Sequence, residues 1–276
     1  MTWSSSVVVG AVFVFAWAWL HGLQRLVAGR PLIEPTARRP VPWGPTEIVL
    51  AVLLLLLCQG ALFEAVRNWR GWLTVPSLTT ADAEGRLWLL SASAAGSLAA
   101  LAASVAWVAV RTEATWGDLG VVWRRTGTDM GLGVVAFVMI APPVFGLQLL
   151  LVRWFGIPSQ HPLIAVLRDH PSPALMAAVV FSAVVVAPLA EEYFFRVLLQ
   201  GWLERLVRPQ LAILASAAAF AVVHTQNGPD PIPLLLFAVG LGYLYRQTHR
   251  ILPSVVVHLL LNACSLAALF AGQAKP

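Results

Sequence analysis

Apolar runs long enough to cross a bilayer fill most of this sequence, and nothing else in it limits the fold so strongly. A spanning helix needs about 20 mainly apolar residues, since each helical residue advances only about 1.5 Å. Eight segments can serve, roughly 4–22, 47–65, 87–110, 130–152, 174–203, 210–226, 232–246 and 251–271. Of 276 residues, 59% are hydrophobic and 11% charged, against about a quarter charged in soluble domains. A soluble core of this size could not hide that much apolar surface. In lipid every backbone N–H and C=O must be paired within the protein, which a helix does unaided. The expected class is therefore all-α: a polytopic membrane protein of about eight transmembrane helices.

The net charge of +5 then carries no nucleic-acid signal, and nucleic acid is not an expected partner. The arginines sit in loops between apolar runs, as the positive-inside rule places them. With the N-terminus outside, inner loops hold eleven arginines against six basic residues in outer ones, which favours both termini outside. Cys58 and Cys264 lie inside apolar segments and read as small hydrophobes, not a disulfide. The opening "MTWSSSVVVGAVFVFAWAWL" lacks a basic n-region and a clear cleavage site, so it reads as a retained helix. The fifth segment is long and must tilt or bend, with Pro188 the candidate point. The sixth and seventh are short, joined by "NGPDPIP". The loop 30–45 is proline-rich and expected to extend over the inner surface. No internal repeat and no separate soluble domain is evident. The chain divides into helices and loops over 1–173 and a core of about four helices over 174–271.

Polar residues inside the apolar segments are costly and point to function. "EEYFFR" places Glu191, Glu192 and Arg196 in the fifth segment, "FAVVH" ends the sixth with His224, and "HLLLN" puts His258 and Asn262 in the eighth. Counted from the inner-loop arginines, Glu191 lies roughly 21 Å deep, His224 roughly 24 Å, and His258 and Asn262 roughly 12 and 18 Å. Three segments thus bring polar groups to overlapping depths, as a shared intramembrane active-site cavity requires. Glu192 and Arg196 are four apart and can form an ion pair on one face. Glu191 points about 100° away from Glu192 and is left for other work. His258 and Asn262 also share a face.

A glutamate in a desolvated site can act as general base on water, and a neighbouring histidine can orient that water or move a proton. A histidine and an asparagine on one face can donate to a developing oxyanion. The set Glu191, His224, His258 and Asn262 would equally serve as ligands to a divalent metal such as zinc. Against metal, there is no H-E-x-x-H, and asparagine is a poor zinc ligand. No intramembrane aspartate accompanies the serines, which argues against a Ser-His-Asp protease.

The three stretches resemble, in order and without substitution, the EExxxR, FxxxH and HxxxN/D motifs of the CPBP family of intramembrane proteases, also called the CAAX prenyl protease 2, Rce1-like or Abi family. The resemblance covers about the last hundred residues, 174–269. It implies that Glu191 activates the hydrolytic water with help from His224, that His258 and Asn262 stabilise the oxyanion, and that Glu192 and Arg196 support them. The family has been described both as metal-dependent and as glutamate-dependent. On the glutamate mechanism, favoured here, no cofactor is required.

The implied activity is an intramembrane endopeptidase that cuts near the membrane anchor or C-terminal tail of a membrane-associated protein or hydrophobic peptide. In eukaryotic relatives the substrate is the tail of a prenylated CaaX protein. The Ala-, Val- and Arg-rich composition resembles that of a GC-rich bacterium, where such proteins are not expected, and suggests a bacterial inner membrane. Two other classes stay open: a non-catalytic membrane scaffold or immunity-type binding protein, and a proton-coupled transporter. The oligomeric state is not legible.

Several residues carry plainer expectations. Trp3, Trp43, Trp69, Trp72, Trp116 and Trp123 read as interfacial residues. His21, His161, His170 and His249 read as solvated, and Glu64 as reaching the interface. Tyr193 and Phe195 would line the cavity or face lipid. "AAGSLAALAAS" in the third segment reads as a small-residue packing face.

Overall fold

The computed structural model describes residues 3–37, 40–156, 172–225 and 231–273. Among them every regular element is helical: α1 (Trp3–Val27), α2 (Pro45–Arg70), α3 (Ala83–Thr112), α4 (Thr126–Phe155), α5 (Pro173–Leu203), α6 (Pro209–Val222), α7 (Pro231–Thr248) and α8 (Ile251–Gln273). These match the eight apolar segments in order. Five helices are long and apolar enough to cross a membrane: α2, α3, α5, the first 18 residues of α8, and α4 with the turn that precedes it. By contrast α6 has only 14 residues, about 21 Å of rise, and falls short of a full span.

Local chemistry sets the helix ends. Pro45 opens α2, where its missing N–H costs nothing, and Gly71 closes it at φ 66°, a left-handed cap. The Asp82 carboxylate accepts from Gly85 N–H at the start of α3 (2.7 Å), and Ser172 Oγ from Leu175 N–H at the start of α5 (3.1 Å).

Helix α5 is the axis. It packs on the α2–α3 hairpin on one side and on α6, α7 and α8 on the other, while α4 lies along α8, α7 and α1. Lipid offers little hydrophobic drive for this packing, so close approach of small residues matters. Gly96, in the small-residue face of α3, sits so near α2 that a Cβ there would lie 2.9 Å from the Gln59 Cα. Gly133 plays the same part between α4 and α8, where a Cβ would lie 2.6 Å from the Val256 Cβ and 2.9 Å from the Pro253 carbonyl. Gly133→Ala is expected to lower stability by about 1–3 kcal/mol through overpacking. Thermal unfolding in detergent checks this, with Gly131→Ala as the silent control, because a Cβ at Gly131 meets nothing within 4 Å.

Helix α5 does not bend simply at Pro188. It carries two π-helical stretches, Phe181–Val186 and Tyr193–Gln200, on either side of the six α-helical residues Ala187–Glu192. Wide turns of this kind are rare and gather at functional sites. They absorb the proline without breaking the helix.

Some expectations are corrected by burial. Trp43 is not interfacial: it is 1% exposed, and its indole N–H donates to the Leu198 carbonyl of α5 (3.2 Å). The segment around it is not spread over a surface, since Val41 is buried too, Arg205 donates to the Trp43 carbonyl (2.6 Å), and Thr36 N–H donates to Gln247 (2.8 Å). His249 is buried beside Arg246 rather than solvated. Tyr193 and Phe195 neither line the cavity nor face lipid. Both are buried, Tyr193 bonded to Ser104 Oγ (3.0 Å) and Phe195 edge-on to Phe220. Trp69, Trp116 and Trp123 are exposed as expected, and Glu64 is half-exposed and paired with Arg67. His161 and His170 lie outside the described residues.

Candidate active site

The structure gathers the polar residues of α5, α6 and α8 around one ring, Phe220. This ring is 1% exposed. The Arg196 guanidinium lies 5.4 Å from its centroid, His224 leans over it at 4.6 Å, and His258 meets it edge-on at 5.8 Å. An aromatic face attracts a cation and its rim completes the packing, so the FxxxH phenylalanine is a hub and not merely a spacer.

Behind the ring, Arg196 Nε donates to Glu192 Oε2 at 3.0 Å, with both side chains fully buried. The expected pair is present, with a further partner. The other oxygen, Glu192 Oε1, accepts from His258 Nδ1 at 2.9 Å. A carboxylate held by arginine can only accept, so Nδ1 carries the hydrogen and His258 Nε2 is the nitrogen turned outward. Nε2 lies 3.6 Å from Glu191 Oε2. Thus Glu192 joins Arg196 to His258 in a buried relay, and His258 links that relay to Glu191.

Glu191 sits differently from its neighbour. Its side chain is 28% exposed, against none for Glu192. It faces a cavity of about 600 Å³, whose wall also carries His224, His258 and Asn262. His224 lies in the turn just past α6, where its Nδ1 donates to the Phe220 carbonyl (2.7 Å) and leaves Nε2 as the free nitrogen. Asn262 Nδ2 donates to the Ala183 carbonyl in the first π stretch (2.8 Å), which leaves one N–H and its oxygen. All four residues singled out for chemistry therefore share one chamber. Glu192 and Arg196 are behind its wall.

The rest of that wall was not singled out in the sequence. Phe63 of α2, Leu90, Ser93 and Ser97 of α3, and Phe145 and Gln148 of α4 line it as well. Serines four apart and a glutamine in apolar runs were the available signals. Most of the lining is apolar, as suits a hydrophobic ligand anchored by a few polar groups.

A structural metal needs several ligands converging on one point. Among the described residues no group of three or more His, Cys, Asp or Glu is placed to hold one. His258 and His224 are each held through Nδ1, which leaves Nε2 of both toward the chamber, and Asn262 donates from Nδ2 to a carbonyl.

Comparison with known proteins agrees with the motif reading. Residues 173–264, about a third of the chain, match the family described as Type II CAAX prenyl endopeptidase Rce1-like. No curated protein and no solved structure matches the chain. All of Glu191, Glu192, Arg196, His224, His258 and Asn262 fall inside the matched segment. The helices that build the polar cluster thus match a family of CAAX-type proteases, in a chain with five described helices long and apolar enough to cross a membrane.

Proposed function

We propose that this protein is an intramembrane endopeptidase that hydrolyses a peptide bond near the membrane anchor or C-terminal tail of a membrane-associated protein or hydrophobic peptide, in a bacterial inner membrane. The observation that carries the proposal is the single apolar chamber whose polar wall is Glu191, His224, His258 and Asn262.

The chemistry is water addition to a carbonyl. Glu191 takes one proton from water while His224 Nε2 accepts the other hydrogen and holds the nucleophile in place. Oxygen adds to the scissile carbonyl, and the resulting oxyanion accepts from His258 Nε2–H and from the free N–H of Asn262. Glu191 then gives its proton to the leaving nitrogen, the C–N bond breaks, and a carboxylic acid and an amine form, the acid passing its proton to the amine as they depart. In this reading His258 donates from both ring nitrogens, Nδ1 to Glu192 Oε1 and Nε2 to the oxyanion. Glu192 thus has a definite task, to orient His258 through Nδ1 while Arg196 holds its other oxygen. No metal step is invoked.

The direct test compares the C-termini of membrane proteins by mass spectrometry in wild-type cells and in cells carrying Glu191→Ala. A tail retained only in the variant names the substrate. Identical C-termini in the two strains would count against proteolysis and for a scaffold.

A further inference from the structure

The hydrogen bond that orients Asn262 depends on a carbonyl with no backbone donor, and the reason lies in the order of residues in α5. At the end of the first π stretch the Ala187 N–H reaches back five residues and is spent on the Ser182 carbonyl. The next carbonyl is that of Ala183, and its donor would be residue 188. That residue is proline, which has no N–H. An open carbonyl in a membrane interior must find another donor. Asn262 Nδ2 supplies it from α8 at 2.8 Å.

We infer that Pro188 is a positioning residue for Asn262: by leaving the Ala183 carbonyl open, it fixes the side-chain amide so that its second N–H and its oxygen face the chamber. The inference rests on the proteolytic reading only for what that amide then does. Pro188 is buried and is not part of the chamber lining. It acts through one hydrogen bond, five residues back and across to another helix. The chain accepts the most costly residue a helix interior can hold, and the structure puts the resulting orphan acceptor against the last residue of the HxxxN stretch.

Two measurements test this on the purified full chain in detergent. Pro188→Ala returns an N–H at the point where it can claim the Ala183 carbonyl. We expect it to unfold at a higher temperature than wild type, while kcat falls by about tenfold or more and KM stays within about twofold. A proline that merely shaped the helix would not raise stability and lower kcat together. The second measurement needs no substrate. Asn262→Leu, which cannot donate, is expected to lower the unfolding temperature in the wild-type background and to cost much less beside Pro188→Ala, where the carbonyl has its own donor. Equal costs in the two backgrounds, or wild-type kcat in Pro188→Ala, would overturn the inference. If Pro188→Ala does not fold, the single variant decides: an Asn262→Leu protein as stable as wild type would overturn it. If no protein cleaves, wild type included, yet the thermal coupling is present, the proteolytic reading has failed and the positioning inference stands.

Discussion

Glu191→Gln is expected to slow peptide cleavage by about a thousandfold, within the 10²–10⁴ range for removing a general base, while the protein unfolds at nearly the wild-type temperature. Both halves of this outcome follow from where the residue sits. Its side chain is 28% exposed to the chamber, so it has little packing to lose. Its nearest partner, His258 Nε2, is 3.6 Å away, too long for a firm hydrogen bond. Glutamine keeps the shape and loses the basicity. The check is turnover of the tail identified by mass spectrometry, with unfolding followed in the same detergent. A variant that keeps more than about a tenth of the wild-type rate would move the base to another residue.

Arg196→Met should fail in a different way, through the fold. Arg196 and Glu192 are both fully buried, and Met leaves Glu192 as an unanswered charge beside His258. Removing one partner of a buried pair typically costs about 3–5 kcal/mol. Losing the guanidinium also uncovers the Phe220 face, which His224 and His258 share. Both stability and cleavage should therefore drop. Adding Glu192→Gln to Arg196→Met is expected to recover much of the stability, since an uncharged pair avoids the desolvation penalty. It should recover no activity, because His258 Nδ1 then lacks the carboxylate that orients it. Detergent unfolding of the two variants reads the difference. An Arg196→Met protein as stable as wild type would show that Arg196 does not hold Glu192 as an anion.

Helix order and much of the polar cluster were legible because both rest on short-range rules. Apolar length reports spans, and a spacing of four reports the Glu192–Arg196 pair. The third member of that group was not legible. The His258 bond to Glu192 crosses 66 positions in the chain, and no periodicity reports which face of α8 meets α5. The depth count placed His258 near the site without showing that it turns one nitrogen to each glutamate. Trp43 and His249 were misread for a related reason. A tryptophan in a proline-rich loop has the local look of an interfacial residue, and only the packing against α5 shows that it fills the interior. The π stretches had one visible cue, Pro188, which suggested a bend and not a change of helical pitch.

The chamber's catalytic candidates and part of its lining come from different stretches of the chain. Every group of the polar cluster comes from α5, α8 or the turn after α6, whereas Phe63, Leu90, Ser93, Ser97, Phe145 and Gln148 come from α2, α3 and α4, outside the matched segment. An engineer could therefore recut the mould without dulling the blade. Substitutions along α2–α4 alter the size and lining of the chamber while the relay from Arg196 to Glu191 keeps its own contacts. Chimaeras that join the α1–α4 region of one such chain to the α5–α8 region of another would then inherit cutting chemistry from one parent and cargo preference from the other.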